Sequence, residues 1–239
     1  MLSERLKAVS GFAGVGTCAA DIGCDHGYVA IDLVESGRFE KCIAMDLRKG
    51  PLKAAEENVR AKGLDERIEL RLSDGVDKLQ IGEADTVITA GMGGRLIINI
   101  LKAHPDIFLS LDHFVLQPQS ELGEVRHFLH DAGFSLKDEM MVIEDDKFYF
   151  LMKFVPGGND EAYEGMGEEA YEFGPLLLNN KNSLLKEYLI RRKSIISDAV
   201  SDIEKALSKN SDNERLKARL IELENLDSLI DKGVRVYET

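Results

Sequence analysis

The residues best suited to chemistry lie in one short segment, residues 21–28, which reads DIGCDHGY. The segment follows an apolar run and precedes a helical pattern, so it occupies the loop after the first strand, where α/β sheets bind nucleotide cofactors. A dinucleotide-binding loop needs glycine at the position of Asp25, because the backbone must approach a pyrophosphate there and a carboxylate repels that group. The loop therefore predicts a cofactor bound without phosphate contacts.

Acidic residues also follow the next two predicted strands, with Asp46 after the second and Asp74 after the third. Because the carboxyl ends of parallel strands meet at one edge of a sheet, these side chains and Asp21 gather in one crevice. S-adenosyl-L-methionine matches this set. It carries a sulfonium and an ammonium, a ribose diol for Asp46 and an adenine amino group for Asp74. We predict it as the cofactor, with S-adenosyl-L-homocysteine as the product.

The fourth predicted strand ends in residues 90–94, AGMGG, which carry no polar side chain. Many amino-group methyltransferases have an Asn/Asp-Pro-Pro-aromatic turn at this place, and its side chain accepts a hydrogen bond from the target amine. Here the glycines let the backbone pass close to the methyl donor or the target base. Backbone carbonyls of this turn could therefore serve as acceptors.

These segments, with three others, resemble the bacterial tRNA (adenine-22-N1)-methyltransferases, the TrmK family. The markers are ERL at 4–6, DIGCDHGY at 21–28, AGMGGR at 90–95, LQPQ at 116–119 and KFY at 147–149, followed by a two-helix tail. The resemblance covers the whole chain. It implies a class I methyltransferase that methylates N1 of adenine 22, in the D-arm region of tRNA, with the tail assisting tRNA binding. Cys24, Gly27, Gln119 and Phe150 depart from the family's usual residues.

Combining this resemblance with the crevice yields a set of predicted site residues. Catalysis at N1, whose lone pair is free, needs alignment and stabilisation of the cationic product. Asp25 is expected to accept a hydrogen bond near N6 or to bind the methionine end of the cofactor, and His26 and Tyr28 to orient or stack the flipped base. These three are the predicted catalytic residues. The predicted cofactor-binding residues are Asp21, Gly23, Cys24, Asp25, Asp46, Leu47, Asp74, Gly75, Ala90, Gly91, Met92 and Gly93.

The elements that must position these residues alternate between strands and helices. The predicted strands are residues 18–21, 42–46, 68–72, 86–90, 113–116, 139–143 and 148–154, and the predicted helices are 28–36, 51–62, 95–102 and 122–132. This alternation predicts an α/β fold, a Rossmann-like, doubly wound parallel sheet covered on both faces. The last two strands predict an antiparallel hairpin at one edge.

Prolines and glycines near residues 156–158 and 174–175 divide the chain into three predicted regions. Residues 1–155 form the predicted S-adenosylmethionine-binding domain, 156–175 an acidic linker, and 176–239 a helical hairpin that binds tRNA. Apolar residues at helical spacing between Leu185 and Leu207, and between Leu216 and Ile230, predict the seam of that hairpin, and Ser211 is expected to cap its second helix. Its basic residues could contact tRNA phosphates; they are Arg191, Arg192, Lys193, Arg215, Lys217 and Arg219.

The composition is typical of a water-soluble globular protein. Of 239 residues, 44% are hydrophobic and 31% charged, and no apolar run resembles a membrane span or a signal sequence. We therefore predict a cytoplasmic location and no membrane partner. The three cysteines lack Cys-x-x-Cys spacing, and His127 and His130 lack a third ligand, so no metal site is predicted. The expected state is a monomer or a weak homodimer.

The net charge of -13 opposes a nucleic-acid partner, since Lys and Arg carry phosphate binding, and three alternatives stay open. The first is a small-molecule methyltransferase, which would not require the helical tail. The second is a methyltransferase for another RNA position or for N6, against which the missing Asn/Asp-Pro-Pro turn argues. The third is a non-catalytic module that binds the cofactor or another protein.

Overall fold

The computed structural model describes residues 2–158, 161–210 and 212–238. The chain divides into two units, Met1–Ala162 and Tyr163–Thr239. The first is built on a β-sheet and the second on helices. No helix in the described ranges combines the length and the apolar character that crossing a bilayer requires.

The first unit contains, in its described part, a seven-stranded sheet with the order β3-β2-β1-β4-β5-β7-β6. Strands β1 to β5 run parallel, and β7 pairs antiparallel with both β5 and β6. This arrangement confirms the predicted doubly wound sheet with a hairpin at one edge. The strands are β1 Gly16–Ile22, β2 Phe39–Asp46, β3 Ile68–Leu72, β4 Thr86–Met92, β5 His113–Pro118, β6 Phe134–Glu144 and β7 Lys147–Pro156.

Six α-helices are described in the first unit, and four of them coincide with predicted helices. They are α1 Glu4–Ala13, α2 Tyr28–Glu35, α3 Lys49–Ala61, α4 Gly94–Ala103, α5 Pro105–Leu109 and α6 Leu122–Asp131. No sequence pattern predicted α1, whose apolar periodicity is weak, or α5, which is too short to show a periodicity. The hydroxyl of Ser3 begins α1 by accepting a hydrogen bond from the backbone N–H of Leu6.

The central strands are apolar because helices cover both of their faces. Ala19 and Ala20 of β1 and Val87 and Ile88 of β4 are fully buried, as is Leu33 of α2. Burying a side chain the size of leucine contributes about 1.5–3 kcal/mol, so this core holds the strand ends in fixed positions. Strand β1 lies between β2 and β4, and the chain order reverses there. The carboxyl ends of these strands therefore open a crevice suited to a ligand.

The second unit contains α7 Glu168–Phe173, α8 Pro175–Asn179, α9 Ser183–Lys209 and α10 Glu214–Arg235 in its described residues. Helices α9 and α10 pack against each other as the predicted hairpin. The seam is fully buried at Leu185, Leu189 and Ile196 of α9 and at Leu223 and Ile230 of α10. Further along α9 the apolar residues Val200, Ile203 and Leu207 are only half-buried, so the packing is tightest in the half that begins at Leu185.

The start of α10 corrects one prediction. The side chain of Asn213 caps the helix by accepting a hydrogen bond from the backbone N–H of Leu216, whereas the predicted cap, Ser211, lies outside the described residues. The segment predicted as a linker contains a 3-10 helix, Glu161–Tyr163, and α7, where Ala170 and Phe173 are buried. The boundaries at 155 and 175 remain predictions.

Candidate cofactor and substrate site

One cavity of about 560 Å³ opens at the carboxyl ends of β1 to β4. Every residue predicted to bind the cofactor or to act in catalysis lines it. The structure therefore brings together four loops that are far apart in the sequence.

The loop after β1 is held against β2 by its backbone. The N–H groups of Gly23 and Cys24 both donate to the carbonyl of Met45, at 2.8 and 2.9 Å. Gly23 has a φ of +71°, and a Cβ atom there would lie 2.3 Å from the methyl carbon of Met92. The positive φ favours glycine at this position, and the missing side chain leaves the space that the end of Met92 occupies. Burial raises the pKa of the Cys24 thiol far above its ordinary value, so this side chain stays a neutral thiol at neutral pH.

Two buried carboxylates lie at the floor of the cavity. Asp46, at the end of β2, accepts hydrogen bonds from the backbone N–H groups of Arg48 at 2.8 Å and Asp25 at 3.2 Å. These bonds orient the carboxylate, whose Oδ1 also lies 3.6 Å from Nε of Arg48, and two of its four acceptor positions make no hydrogen bond to described residues. Asp21, at the end of β1, is 3% exposed, and its Oδ2 has no hydrogen-bond partner among the described residues.

The environment of Asp21 sets its charge. Its pKa is raised from the ordinary 3.8 to about 7, chiefly by burial and also by the negative charge of Asp46, while a hydrogen bond from the backbone N–H of Ala30 partly opposes the rise. A buried oxygen without a partner, beside a second carboxylate, fits a cationic ligand and repels an anionic one.

Charged and aromatic side chains form the mouth of the cavity. Asp25 has a φ of +49°, a conformation that aspartate tolerates better than most residues. Its carboxylate lies 3.7 Å from Nε2 of His26 and 3.9 Å from the guanidinium of Arg48. The rings of His26 and Tyr28 stack with centroids 5.6 Å apart, and Tyr28 is 46% exposed. The exposed aromatic pair can stack on a base, and the neighbouring carboxylate can accept a hydrogen bond from that base.

The loop after β3 adds a polar wall. The hydroxyl of Ser73 accepts a hydrogen bond from the backbone N–H of Lys78 and donates to the carbonyl of Gly75, both at 3.1 Å. Gly75 has a φ of +51°, and a Cβ there would lie 2.9 Å from the side chain of Ile100. The carboxylate of Asp74 makes no protein hydrogen bond in the described ranges and is exposed. Leu47, 62% exposed, offers an apolar surface nearby.

The end of β4 bends away from regular pairing. Its register with β5 shifts between Ala90 and Met92, and Gly91 at the shift has a φ of +81°. A Cβ on Gly94 would lie 2.4 Å from the carbonyl oxygen of Ser120. The bulge and the glycines bring bare backbone to the cavity, as the sequence predicted for this turn.

The cavity also contains residues to which the sequence analysis assigned no role. Arg5 of α1 donates from Nη1 to Oε1 of Gln117 at 2.7 Å, and its guanidinium lies 5.2 Å from the ring centroid of Tyr149. Gln119 and Arg48 line the cavity as well. Arg5 and Gln119 belong to segments that resemble the family, which was the available signal, whereas nothing marked Arg48.

The basic residues predicted on the hairpin differ in their surroundings. Four of them lie near carboxylates: Arg191 near Glu187, Lys193 near Asp231, Lys217 near Glu214 and Arg219 near Glu222. Arg192 and Arg215 form no ion pair within the described part of the chain. Among the six predicted cations, these two are therefore the ones whose charge no nearby carboxylate of a described residue offsets.

Known proteins were compared with this chain and its structure. The family model for tRNA (adenine(22)-N(1))-methyltransferase matches residues 19–226. An enzyme of that name from Bacillus subtilis is 31% identical over 233 residues, which cover 97% of this chain and 98% of that protein. The crystal structure of the B. subtilis m1A22 tRNA methyltransferase TrmK matches with a TM-score of 0.87, covering 98% of this chain and 99% of that one.

A further solved structure contains the cofactor. It is a putative tRNA (m1A22) methyltransferase from Streptococcus pneumoniae in complex with S-adenosyl-L-methionine. It is 28% identical to this chain, has a TM-score of 0.81, and the match covers 98% of this chain and 100% of that one.

Proposed function

This chain belongs to the tRNA (adenine(22)-N(1))-methyltransferase family, and from that premise we propose how its own residues bind the cofactor and the base. It is an S-adenosylmethionine-dependent methyltransferase that acts on N1 of adenine 22 in tRNA. The observation that carries the proposed roles is the pair of buried carboxylates, Asp21 and Asp46, beside the loop that follows β1.

The cofactor is proposed to lie across the ends of β1 to β4. Asp46 accepts hydrogen bonds from both ribose hydroxyls, because its backbone partners hold it in place and leave two acceptor positions free. Asp74 accepts a hydrogen bond from the adenine amino group of the cofactor, and Leu47 packs on its ring. The bare backbone of Gly23 and Gly91 leaves room for the methionine portion. Asp21 supplies negative charge beneath it.

The target adenine is proposed to enter beside Asp25, His26 and Tyr28. N1 is hidden in a stacked or paired base, so the nucleotide must leave its stack before it can react. The exposed ring of Tyr28, stacked on His26, offers a surface for the flipped base. Asp25 accepts the N6–H that lies on the N1 side of the base.

The reaction needs no general base at N1. When bound, S-adenosylmethionine supplies an electrophilic methyl group on a positively charged sulfur. The lone pair of N1 forms the new nitrogen–carbon bond while the carbon–sulfur bond breaks, its electrons going to sulfur. Positive charge passes to the adenine ring, where the carboxylate of Asp25 stabilises it. The protein therefore contributes alignment and a negative field.

Unmodified tRNA incubated with labelled S-adenosylmethionine is expected to yield 1-methyladenosine after digestion to nucleosides. A tRNA with guanine at position 22 is the matched control, and it should remain unlabelled because N1 of guanine carries a proton and no free lone pair. A product other than 1-methyladenosine, or equal labelling of both tRNAs, would contradict the function.

The hairpin is proposed to bind tRNA phosphates through Arg192 and Arg215. Replacing both with alanine is expected to lower kcat/KM for tRNA about fivefold. The slope of log kcat/KM against log salt concentration should become shallower by about one for each arginine removed. Cofactor affinity, measured by calorimetry, should not change. Lys217→Ala/Arg219→Ala is the control, because nearby carboxylates already offset those charges. An equal loss of kcat/KM in both double variants would contradict the proposal that Arg192 and Arg215 contact tRNA more strongly than Lys217 and Arg219 do.

Two expectations remain predictions about the whole protein. A cytoplasmic location is open to test by cell fractionation, and a monomer or weak homodimer by sedimentation. Neither bears on the chemistry of the cavity.

A further inference from the structure

Methylation of N1 places one demand on the base pocket that the cofactor residues do not meet. With N1 turned toward the methyl group, the edge of adenine that carries N7 and the second N6–H faces elsewhere in the pocket. An acceptor on that N6–H is valuable, because the amino group becomes a stronger donor as the ring gains positive charge. A residue that pairs with both N6 and N7 also identifies the base as adenine.

The turn at the end of β4, residues 90–94, has no polar side chain that could accept a hydrogen bond from N6. Its pairing partner β5 ends at Pro118, and the next residue, Gln119, is fixed by its backbone N–H, which donates to the carbonyl of Met92 at 2.8 Å. The side-chain Nε2 of Gln119 lies 3.4 Å from the place where a Cβ of Gly91 would be. The absence of a side chain at Gly91 therefore leaves the Gln119 amide beside the bulge.

The other polar groups beside this turn are engaged. Gln117 is fully buried, accepts from Arg5 at 2.7 Å and donates to the carbonyl of Pro118 at 3.3 Å. Arg5 also stacks over Tyr149 and lies 3.8 Å from Glu144. The side-chain amide of Gln119 makes no hydrogen bond to residues that the structure describes, is exposed and lines the cavity.

Resting on the proposed function, we propose that Gln119 reads the target base. Its Oε1 accepts the N6–H on the N7 side, and its Nε2 donates to N7, the bidentate pairing by which glutamine recognises adenine. Asp25 takes the other N6–H, so the two residues contact opposite sides of one amino group. This pairing also discriminates against guanine, because O6 of guanine and Oε1 of the amide are both acceptors and repel each other.

The test uses tRNA with adenosine or 7-deazaadenosine at position 22, the second lacking only the N7 acceptor. Wild-type enzyme is expected to lose about tenfold in kcat/KM on the 7-deaza substrate, the effect of one hydrogen bond in a desolvated pocket. Gln119→Ala should lose about thirtyfold on adenosine and treat both substrates alike. Gln119→Glu should prefer 7-deazaadenosine, since its second oxygen repels N7 but not a C–H.

Gln80→Ala, an exposed glutamine outside the cavity, is the matched control and should behave as wild type. Calorimetry with S-adenosylmethionine shows whether each variant keeps its cofactor site. A full 7-deaza penalty in Gln119→Ala, or wild-type kcat/KM in that variant, overturns the inference and leaves the proposed function standing. Absence of 1-methyladenosine with wild-type enzyme and adenosine tRNA overturns both.

Discussion

Replacing Asp46 with alanine is expected to weaken the binding of S-adenosylmethionine about a hundredfold, because the two ribose hydroxyls lose one charged acceptor. Hydrogen bonds to a charged group contribute about 1.5–3 kcal/mol each, and a hundredfold change in Kd corresponds to about 2.8 kcal/mol. Isothermal titration calorimetry measures this directly. Asp106→Ala, which removes the same charge from an exposed turn of α5, is the control and should bind as wild type.

Asp21→Asn separates the role of Asp46 from a general effect of negative charge. The pKa of Asp21 is about 7, above its ordinary value, so the folded protein without ligand retains a proton there at pH 6 and loses it by pH 8. A cationic ligand binds the ionised form more tightly, so affinity should rise with pH across this range, by at most tenfold per unit below the pKa. Asp21→Asn should abolish that slope, whereas Asp46→Ala should keep it but move it to lower pH, because the charge of Asp46 raises the pKa of Asp21. Wild-type affinity in Asp46→Ala would exclude the ribose contact.

Replacing Asp25 with asparagine is expected to lower kcat for tRNA methylation about a hundredfold, the usual loss when one group that stabilises transition-state charge is removed. Asparagine keeps the size of the side chain and tolerates the positive φ at this position, so the loop should retain its shape. The Kd for S-adenosylmethionine should change less than about threefold, because the proposed role of the substituted oxygen is to contact the base. Single-turnover kinetics with saturating cofactor and tRNA measure the chemical step.

A changed Kd for S-adenosylmethionine with an unchanged kcat would indicate that Asp25 binds the cofactor and not the base. A large rise in Kd with an unchanged rate at saturation means that its carboxylate binds the ammonium of the methionine end, the second role open to it from the sequence. Asp131→Asn, at the exposed end of α6, controls for the change in net charge. Tyr28→Phe should keep most of its rate in either case, because stacking depends on the ring.

Local pattern sufficed for the alternating elements of the sheet. Strand β3 was predicted at its observed bounds, and helix α2 within one residue, because each carries its own apolar run and turn residues. Helix α1 escaped prediction, since only Val9, Phe12, Ala13 and Ser10 are buried and polar residues interrupt the stripe. Helix α1 packs against α2 and the sheet, and these contacts with distant parts of the chain cannot be seen in its local sequence.

The sequence by itself determined that carboxylates and glycines follow the strands of a parallel sheet, because strand, loop and helix are set by neighbours along the chain. It therefore indicated which residues meet in the cavity. The tertiary structure alone decided the pKa of Asp21, which depends on burial and on Asp46, and the wall formed by Arg5, Gln117 and Gln119. Arg5 lies 112 positions before Gln117, and only packing of α1 against the sheet brings the two together.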